Sequence, residues 1–288
     1  MTFAQRDALI PIETGQSVNV GWTSATGRRP LGVTWHWAAT DSLKVCTDTI
    51  GGSRAERRGI ASAHYGIGRT LAEGVDRYVS IENRSWHAGR NQTIQWDGQP
   101  LRSNDLKGTR TTIGIETISI GFWQGSVPAG RDFIEAADTN SRHVMRVQPW
   151  PDEQVEMMIA IGKEIVTRWP NVEFRHHHGH HDLCPGYKQD VAGFPFARVL
   201  RGIYDKPDIP DVWTPLWMPV ARQEALIALG YDLGTAGADG VWGRVSETAL
   251  RAFQRDHGML RDGMWTTFVN WKVYDEMMGK AIRGFFGD

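Results

Sequence analysis

The sequence predicts an α/β protein with a mixed central β-sheet flanked by helices, followed by a small three-helix C-terminal domain. Period-two and apolar strand patterns recur in the first two thirds of the 288 residues, and amphipathic helical patterns lie between and after them. Three prolines between Lys206 and Pro215 mark a change of composition. Because prolines stiffen and extend a linker, we expect domains at 1–205 and 218–288 joined by a Pro-rich linker at 206–217.

Composition and charge restrict the kinds of partner. The 32 basic and 33 acidic residues leave a net charge of −1, so there is no electrostatic reason to expect nucleic acid as a partner. No apolar run is long enough for membrane insertion, and the first ten residues lack the pattern of a secretory signal peptide. The two cysteines are expected to be free thiols. The charge balance therefore favours a neutral or mixed-charge partner. We also expect the protein to be a monomer.

The first clear strand covers residues 31–37. Val33, Trp35 and Trp37 alternate with Thr34 and His36, which predicts one apolar and one polar face. His36 near the end of this strand either reaches a cleft or is a structural histidine, and the pattern leaves both open. Short strands are also predicted within 61–68 and 76–81.

Residues 112–120 read as a buried central strand, because isoleucines occupy both of its faces. Glu116 is a carboxylate in a position that disfavours charge. One interpretation is a buried ion pair or a tether to a loop. The other is a general base whose pKa is raised beside a metal.

Helices are predicted where capping residues precede amphipathic patterns. Asp41 or Ser42 caps a helix that runs to Ile50, and a longer helix lies between Pro151 and Trp169. Residues 121–149 are predicted to be irregular, and 172–176 to form a strand. In the C-terminal domain the predicted helices are 220–230, one capped by Ser246, and one after Gly263.

The chemistry is concentrated between Arg175 and Asp190, where five histidines, a thiol and a lysine surround a Pro-Gly turn. His180 and Asp190 are candidate zinc ligands, since imidazole and carboxylate both bind this ion. Ten residues separate them, so Pro185-Gly186 must fold the chain back to bring them together. A third ligand has to come from another segment. A histidine run alone also binds metals adventitiously.

Residues 31–190 resemble the zinc-dependent N-acetylmuramoyl-L-alanine amidases, a family that includes peptidoglycan recognition proteins and phage amidases. Five segments in the family's order carry the resemblance. They are the strand-end His36, Ser62-Ala63-His64, Trp86-His87-Ala88-Gly89, Ile113-Gly114-Ile115-Glu116, and Gly179-His180-His181-Asp182 followed by Pro185-Gly186-Tyr187-Lys188-Gln189-Asp190.

The resemblance implies that His36, His180 and Asp190 hold zinc and that Glu116 and Lys188 are catalytic. Some relatives have a cysteine at the position of Asp190, and some have a catalytic tyrosine where this chain has Ala63, which places more weight on Glu116. Cys184 is a fallback ligand. The expected substrate-binding walls of the cleft are formed by His64, Trp86 and His87, of which both histidines are also possible ligands.

Residues 218–265 resemble the helical peptidoglycan-binding module of cell-wall hydrolases. The matching pieces are Ala228-Leu229-Gly230-Tyr231, Asp239-Gly240-Val241-Trp242-Gly243, Thr248-Ala249, Phe253-Gln254 and Asp262-Gly263. The candidate glycan contacts are Asp239, Trp242 and Arg244. A purely structural turn is an equal alternative for Asp239.

Together the two resemblances imply a peptidoglycan hydrolase that uses zinc-activated water to cleave the amide between N-acetylmuramic acid and L-alanine. Three alternatives stay open: a non-catalytic peptidoglycan-recognition protein, a zinc endopeptidase of the wall peptide, and a glycosidase, which needs two cleft carboxylates. A wall hydrolase without a signal peptide is expected to be a phage endolysin. Such a protein is made in the host cytoplasm and acts on the wall after release.

Overall fold

The computed structural model describes residues 5–7, 22–23, 29–50, 61–89, 95–96, 99–100 and 111–286. The strands are β1 (Gln5–Asp7), β2 (Trp22–Thr23), β3 (Gly32–Trp37), β4 (Tyr65–Ile67), β5 (Val75–Arg77), β6 (Arg84–Ser85), β7 (Gln95–Trp96), β8 (Gln99–Pro100), β9 (Thr112–Thr117), β10 (Ile134–Ala137), β11 (Val144–Val147) and β12 (His177–Gly179). The α-helices are α1 (Leu43–Ile50), α2 (Asp152–Arg168), α3 (His180–Leu183), α4 (Phe196–Tyr204), α5 (Pro219–Ala228), α6 (Arg244–Asp256) and α7 (Thr267–Phe286). Within these residues, no helix has the length and apolarity that crossing a bilayer requires.

A mixed sheet organises the first part of the chain. Its six strands lie in the order β1-β5-β4-β9-β3-β12. The central strand β3 runs parallel to β9 and β12, whereas β4 and β5 are antiparallel. The mixed α/β architecture and the strand predicted at 31–37 are therefore confirmed, as are the three helices of the C-terminal part.

The two faces of this sheet differ in chemistry, as the alternation in β3 predicts. Val33, Trp35 and Ile115 join the main hydrophobic core with residues of α2 and α4. On the opposite face, the hydroxyls of Thr34 and Thr112 are 2.8 Å apart and hydrogen-bonded. His36 follows Thr34 on this polar face, because side chains two residues apart in a strand share a face.

Two predicted segments differ from the structure. Residues 121–149, predicted to be irregular, contain the antiparallel hairpin of β10 and β11. Each of these strands has only four residues, too few to show a period in the sequence. The strand predicted at 172–176 is wrong, because Phe174–His176 form a 3-10 turn and the strand begins at His177. The Glu173 side chain accepts the His176 N–H and the His176 ring accepts the Glu173 N–H, which closes this turn.

Helix starts were predicted with mixed success. Ser42 provides the cap of α1, since its hydroxyl accepts the N–H of Val45 at 3.3 Å. The predicted cap Ser246 is wrong: α6 begins two residues earlier, after Gly243. The Ser246 hydroxyl instead accepts a hydrogen bond from Gln223 of α5 at 3.0 Å, which joins two helices of the C-terminal part.

Helices α5, α6 and α7 form the C-terminal module, and they pack directly on the rest of the chain. The segment at 206–217, predicted to be an extended linker, has Ile209, Val212 and Trp213 each 3 % exposed. The Trp213 indole donates to the hydroxyl of Thr267 at 3.1 Å and stacks on Phe196, with ring centroids 4.9 Å apart. The segment is therefore part of the packed core. The boundaries at 205 and 218 stay a prediction.

Candidate metal and catalytic site

Three side chains from distant segments converge at one edge of the sheet. His36 lies near the carboxyl end of β3, His180 follows the neighbouring β12, and Asp190 returns from the turn beyond α3. His36 Nδ1 is 3.0 Å from His180 Nδ1 and 3.2 Å from Asp190 Oδ2. His180 Nδ1 is 3.1 Å from the same carboxylate oxygen. Two nitrogens and one oxygen therefore face a common point.

The turn that brings Asp190 to His180 depends on its glycine. Gly186 has φ +76°, in the left-handed region that residues other than glycine rarely adopt. The N–H groups of Tyr187 and Lys188 both donate to the carbonyl of Cys184, and the N–H of His181 donates to the carbonyl of Asp190 at 2.5 Å. The fold-back predicted at Pro185-Gly186 is present.

Burial and mutual contact fix the protonation of this group. Burial, together with His180, lowers the pKa of His36 to about 4. Burial alone would raise the pKa of Asp190, but charge interactions and hydrogen bonds with His180 and His36 hold it well below its ordinary value. At neutral pH the group thus offers an uncharged imidazole at His36 and an ionised carboxylate at Asp190, which are the forms that bind a metal.

The chemistry and spacing of this group fit a zinc ion. A tetrahedral ion with bonds of about 2.0–2.1 Å separates its ligand atoms by about 3.3 Å, close to the observed 3.0–3.2 Å. His180 Nε2 is buried without a hydrogen-bond partner among the described residues, and Nδ1 is the ring nitrogen that contacts His36 and Asp190. All three residues are buried, so little water competes for their ligand atoms. This group of side chains can bind a metal.

His87, predicted as a substrate contact, lies behind His36. Its Nδ1 is 3.1 Å from His36 Nε2, and its Nε2 is 3.3 Å from the carbonyl of Thr112. The Thr112 hydroxyl is also 3.3 Å from Nε2. In the tautomer with its proton on Nε2, His87 donates to the carbonyl, and its Nδ1 accepts the Nε2–H of His36. This series of hydrogen bonds leaves His36 Nδ1 unprotonated where it faces His180 and Asp190. Gly114 permits the arrangement, since a Cβ there would lie 2.3 Å from Cγ of His87.

We expect substitution of His87 to weaken zinc binding more than it weakens folding. His87→Leu removes the acceptor for His36 and should reduce zinc affinity by about 10- to 100-fold, the usual cost of losing a partner that orients a ligand. His87→Asn keeps an acceptor near the position of Nδ1 and should lose less. Competition with a chromophoric chelator measures both affinities, and equal affinities for the two variants would contradict this role.

Glu116 lies beside His36 across the sheet. The two residues are register partners on adjacent parallel strands, so their side chains are on the same face. Glu116 is 8 % exposed and has neither a hydrogen-bond nor an ion-pair partner in the described part of the chain. Burial, with the nearby charge of Asp190, raises its pKa well above the ordinary value, while Lys188 opposes the shift. The described residues thus offer Glu116 no ion-pair partner, and its role as a general base stays a prediction.

Cys184 lies before Pro185-Gly186 in the sequence and Lys188 after it, and their surroundings differ. Lys188 is half-buried, and its charge acts on both Glu116 and His36. The Cys184 thiol donates to the carbonyl of Ala88 at 3.3 Å, and burial raises its pKa to about 11. The fallback ligand Cys184 is therefore a protonated core residue, and it lies outside the group of converging atoms.

His64 and Trp86 both form hydrogen bonds to other parts of the chain. His64 is fully buried, its Nδ1 accepts the N–H of Gly114 at 3.0 Å, and its Nε2 is 3.2 Å from the carbonyl of Asn83. These contacts make His64 a structural residue rather than a ligand. Trp86 is half-buried, and its backbone N–H donates to the hydroxyl of Ser62 at 3.0 Å. Its predicted contact with substrate stays a prediction.

The three candidate glycan contacts of the module have different surroundings. Trp242 is only 5 % exposed and packs edge-on against Trp265 at 5.8 Å, so packing accounts for its ring and leaves little surface for a ligand. Asp239 accepts hydrogen bonds from Gln223 at 3.0 Å and from the N–H of Val241 at 2.9 Å, which supports the structural-turn alternative. Arg244 is exposed at the start of α6, where contact with a glycan stays a prediction.

A buried histidine near this site predicts acid sensitivity. Burial lowers the pKa of His178 to about 4, whereas an unfolded histidine titrates near 6.5. Above pH 6.5 both states are neutral, and as the pH falls toward 4 the unfolded chain gains the proton first. Between pH 7.5 and pH 5 the parent should therefore lose about 2 kcal/mol of unfolding free energy that His178→Gln keeps. Urea unfolding of the metal-free proteins measures this difference, and a constant difference would contradict it.

Taken together, the mixed sheet and the buried group at its edge define an α/β domain with a two-histidine, one-carboxylate site. The family described as N-acetylmuramoyl-L-alanine amidase matches residues 26–190, more than half of the chain. The chain belongs to the N-acetylmuramoyl-L-alanine amidase family. A second family, described as "Putative peptidoglycan binding domain", matches residues 220–269. Both resemblances predicted from the sequence are thereby confirmed.

Individual proteins are similar to this chain at lower levels. AmpDh3 from Pseudomonas aeruginosa is 19 % identical with a TM-score of 0.47, covering 88 % of this chain and 92 % of that one. The amidase AmiD from E. coli, solved with anhydro-N-acetylmuramic acid-L-Ala-D-gamma-Glu-L-Lys, is 21 % identical with a TM-score of 0.46, covering 86 % and 89 %. The type VI secretion system spike protein VgrG3 of Vibrio cholerae is 57 % identical over 35 residues, which are 12 % of this chain and 3 % of that protein.

Proposed function

We propose that this chain is a zinc hydrolase that cleaves the amide between the lactyl group of N-acetylmuramic acid and the L-alanine of the peptidoglycan stem peptide. The observation that carries the proposal is the convergence of His36, His180 and Asp190 beside the buried, unpartnered Glu116. Membership of the amidase family supports the bond, and the second family match supports peptidoglycan as the partner.

His36, His180 and Asp190 would hold the zinc ion through Nδ1, Nδ1 and Oδ2. Zinc bound there would supply Lewis acidity, which acidifies water and polarises a carbonyl group. One carboxylate and two neutral imidazoles cancel only part of a divalent charge, so this ligand set preserves that acidity. His87 keeps His36 in the tautomer that binding requires.

Glu116 acts as the general base and then as the general acid. It takes a proton from the attacking water while the water oxygen bonds to the amide carbon. It returns that proton to the nitrogen as the carbon–nitrogen bond breaks, which leaves a lactyl carboxylate and a free amino terminus on L-alanine. The raised pKa of Glu116 suits both steps, since a carboxylate with an ordinary pKa is too weak a base near neutral pH.

Lys188 stabilises the negative charge that develops on the carbonyl oxygen during attack. Its position two residues before Asp190 keeps its ammonium group close enough to Glu116 to affect the pKa of that carboxyl group. The two catalytic groups therefore come from different elements: Glu116 from the sheet and Lys188 from the turn.

Digestion of purified peptidoglycan tests this proposal. The protein is stripped with a chelator, assayed, reloaded with zinc and assayed again. We expect only the zinc-loaded protein to release L-alanine amino termini from the peptidoglycan. New amino termini within the stem peptide would identify an endopeptidase, and reducing sugar ends would identify a glycosidase. Binding to walls without any cleavage would identify a recognition protein.

A further inference from the structure

One buried carboxylate joins the C-terminal module to the candidate zinc site. Asp182 lies two residues after His180 and is 2 % exposed. Its Oδ2 accepts the N–H of Gly179 at 2.8 Å, at the start of α3. Its Oδ1 accepts the N–H of Thr267 at 2.7 Å, at the start of α7 in the module. Asp182 thus caps two helices that belong to different parts of the chain.

The electrostatics of Asp182 make this connection strong. Helix α7 is 20 residues long, and its N-terminal N–H groups favour a negative charge. A third partner of Asp182 is the ring of His181, whose Nε2 is 3.4 Å from Oδ2. Because the charge is buried, loss of one partner leaves a carboxylate oxygen that water cannot easily reach.

Packing around Asp182 seats the whole turn on the module. Leu183 and Cys184 belong to the same hydrophobic cluster as Trp265 and Phe268 of the module. Two residues after Cys184, the N–H of Gly186 donates to the hydroxyl of Thr139 at 3.1 Å. The carbonyl of the same threonine accepts the N–H of Trp265 at 2.6 Å. The turn therefore contacts the module directly and through Thr139.

A second contact between the two parts lies beside this one. Arg222 of α5 is 5 % exposed, and its guanidinium donates to the carbonyl of Asp138 at 2.8 Å and to that of Leu216 at 2.8 Å. It also donates to the hydroxyl of Ser141 at 2.5 Å. A buried cation that spans two segments in this way fixes their relative position, since each unmade bond would leave a buried charge unsatisfied.

Movement of Asp182 would reach both candidate ligands on the turn. His180 begins the short helix that Asp182 caps, and the N–H of His181 binds the carbonyl of Asp190. We propose that Asp182 is a positioning residue through which the docked module holds His180 and Asp190 in place for zinc, so that tight zinc binding requires the module. This inference rests on the proposed zinc site. It assigns the wall-binding module a second role, in completing the active site.

Two substitutions at Thr267 in the full-length protein test the inference. Thr267→Pro removes the N–H that Asp182 accepts, at the first helical position, where proline is tolerated. Both substitutions remove the Thr267 hydroxyl, but Thr267→Val keeps the backbone N–H. It is therefore the matched control. We expect Thr267→Pro to weaken zinc binding at least about tenfold relative to Thr267→Val, measured by chelator competition. Circular dichroism checks that both variants are folded.

A second pair of variants covers the case in which Thr267→Pro fails to fold. Asp182→Asn replaces one accepting oxygen by a donor, so one of its two N–H partners is lost. Glu247→Gln breaks the exposed ion pair between Arg142 and the module without touching the turn. We expect weaker zinc binding for Asp182→Asn and parental binding for Glu247→Gln. Parental zinc affinity in folded Asp182→Asn or Thr267→Pro would overturn the inference, whereas failure of the parent to bind zinc would overturn the proposed function instead.

Discussion

Glu116→Gln is expected to lose about 10²- to 10⁴-fold in the rate of amide hydrolysis while it keeps zinc affinity near that of the parent. Glutamine fills nearly the same space but cannot take a proton from water. Because Glu116 lies outside the converging ligand atoms, its replacement should leave those ligands in place. The rate is measured as release of L-alanine amino termini from purified peptidoglycan, and zinc affinity by chelator competition.

A second carboxylate provides the control for this substitution. Glu164 binds Arg77 at 2.9 Å and accepts a hydrogen bond from Tyr65 at 3.1 Å, on the opposite face of the sheet from Glu116. Glu164→Gln should therefore change stability without changing the zinc-loaded rate. An unchanged rate in Glu116→Gln would remove Glu116 as the base and would leave Lys188 as the nearest candidate for proton transfer.

Loss of a candidate zinc ligand is expected to have the second large effect. His180→Ala should weaken zinc binding by more than about 100-fold, beyond the usual loss for a residue that merely orients a ligand, and hydrolysis should fall with it. Asp190→Asn should act similarly, because a neutral amide oxygen replaces a charged one. Asp190→Cys should retain zinc, since a thiolate is also a zinc ligand.

The neighbouring histidines distinguish a specific site from adventitious binding. His176 is in the same histidine run but lies in the 3-10 turn before β12. If the run as a whole held the metal, His176→Gln and His180→Ala would lose similar amounts of zinc affinity. We expect His176→Gln to bind zinc like the parent, and isothermal titration of both variants measures the difference.

The sequence predicted the central elements because their patterns are local. The alternation around Trp35 and the isoleucines around Glu116 each define a strand, and in the structure the two strands are neighbours. Hairpin β10–β11 could not be predicted in this way, because its short strands are stabilised by pairing with each other and by the backbone contact of Ala137 with Trp217. That contact spans 80 positions of the chain and has no local signature.

The roles of individual site residues show the same limit. The motifs contained His87 and Asp182, but their partners, His36 and Thr267, lie 51 and 85 positions away along the chain. A possible signal for His87 was Gly114, a glycine among β-branched residues of a strand, which often marks a close approach of another group. Arg222 gave no such signal, because a single arginine in an amphipathic helix normally faces solvent.

Anomalous diffraction at the zinc absorption edge, from crystals of the zinc-loaded protein, tests the central claim most directly. The account predicts one strong peak about 2.0–2.2 Å from His36 Nδ1, His180 Nδ1 and Asp190 Oδ2, with the fourth position open to solvent. A peak on His176 or another histidine of the run away from these three atoms, or a fourth protein ligand that closes the site, would contradict it.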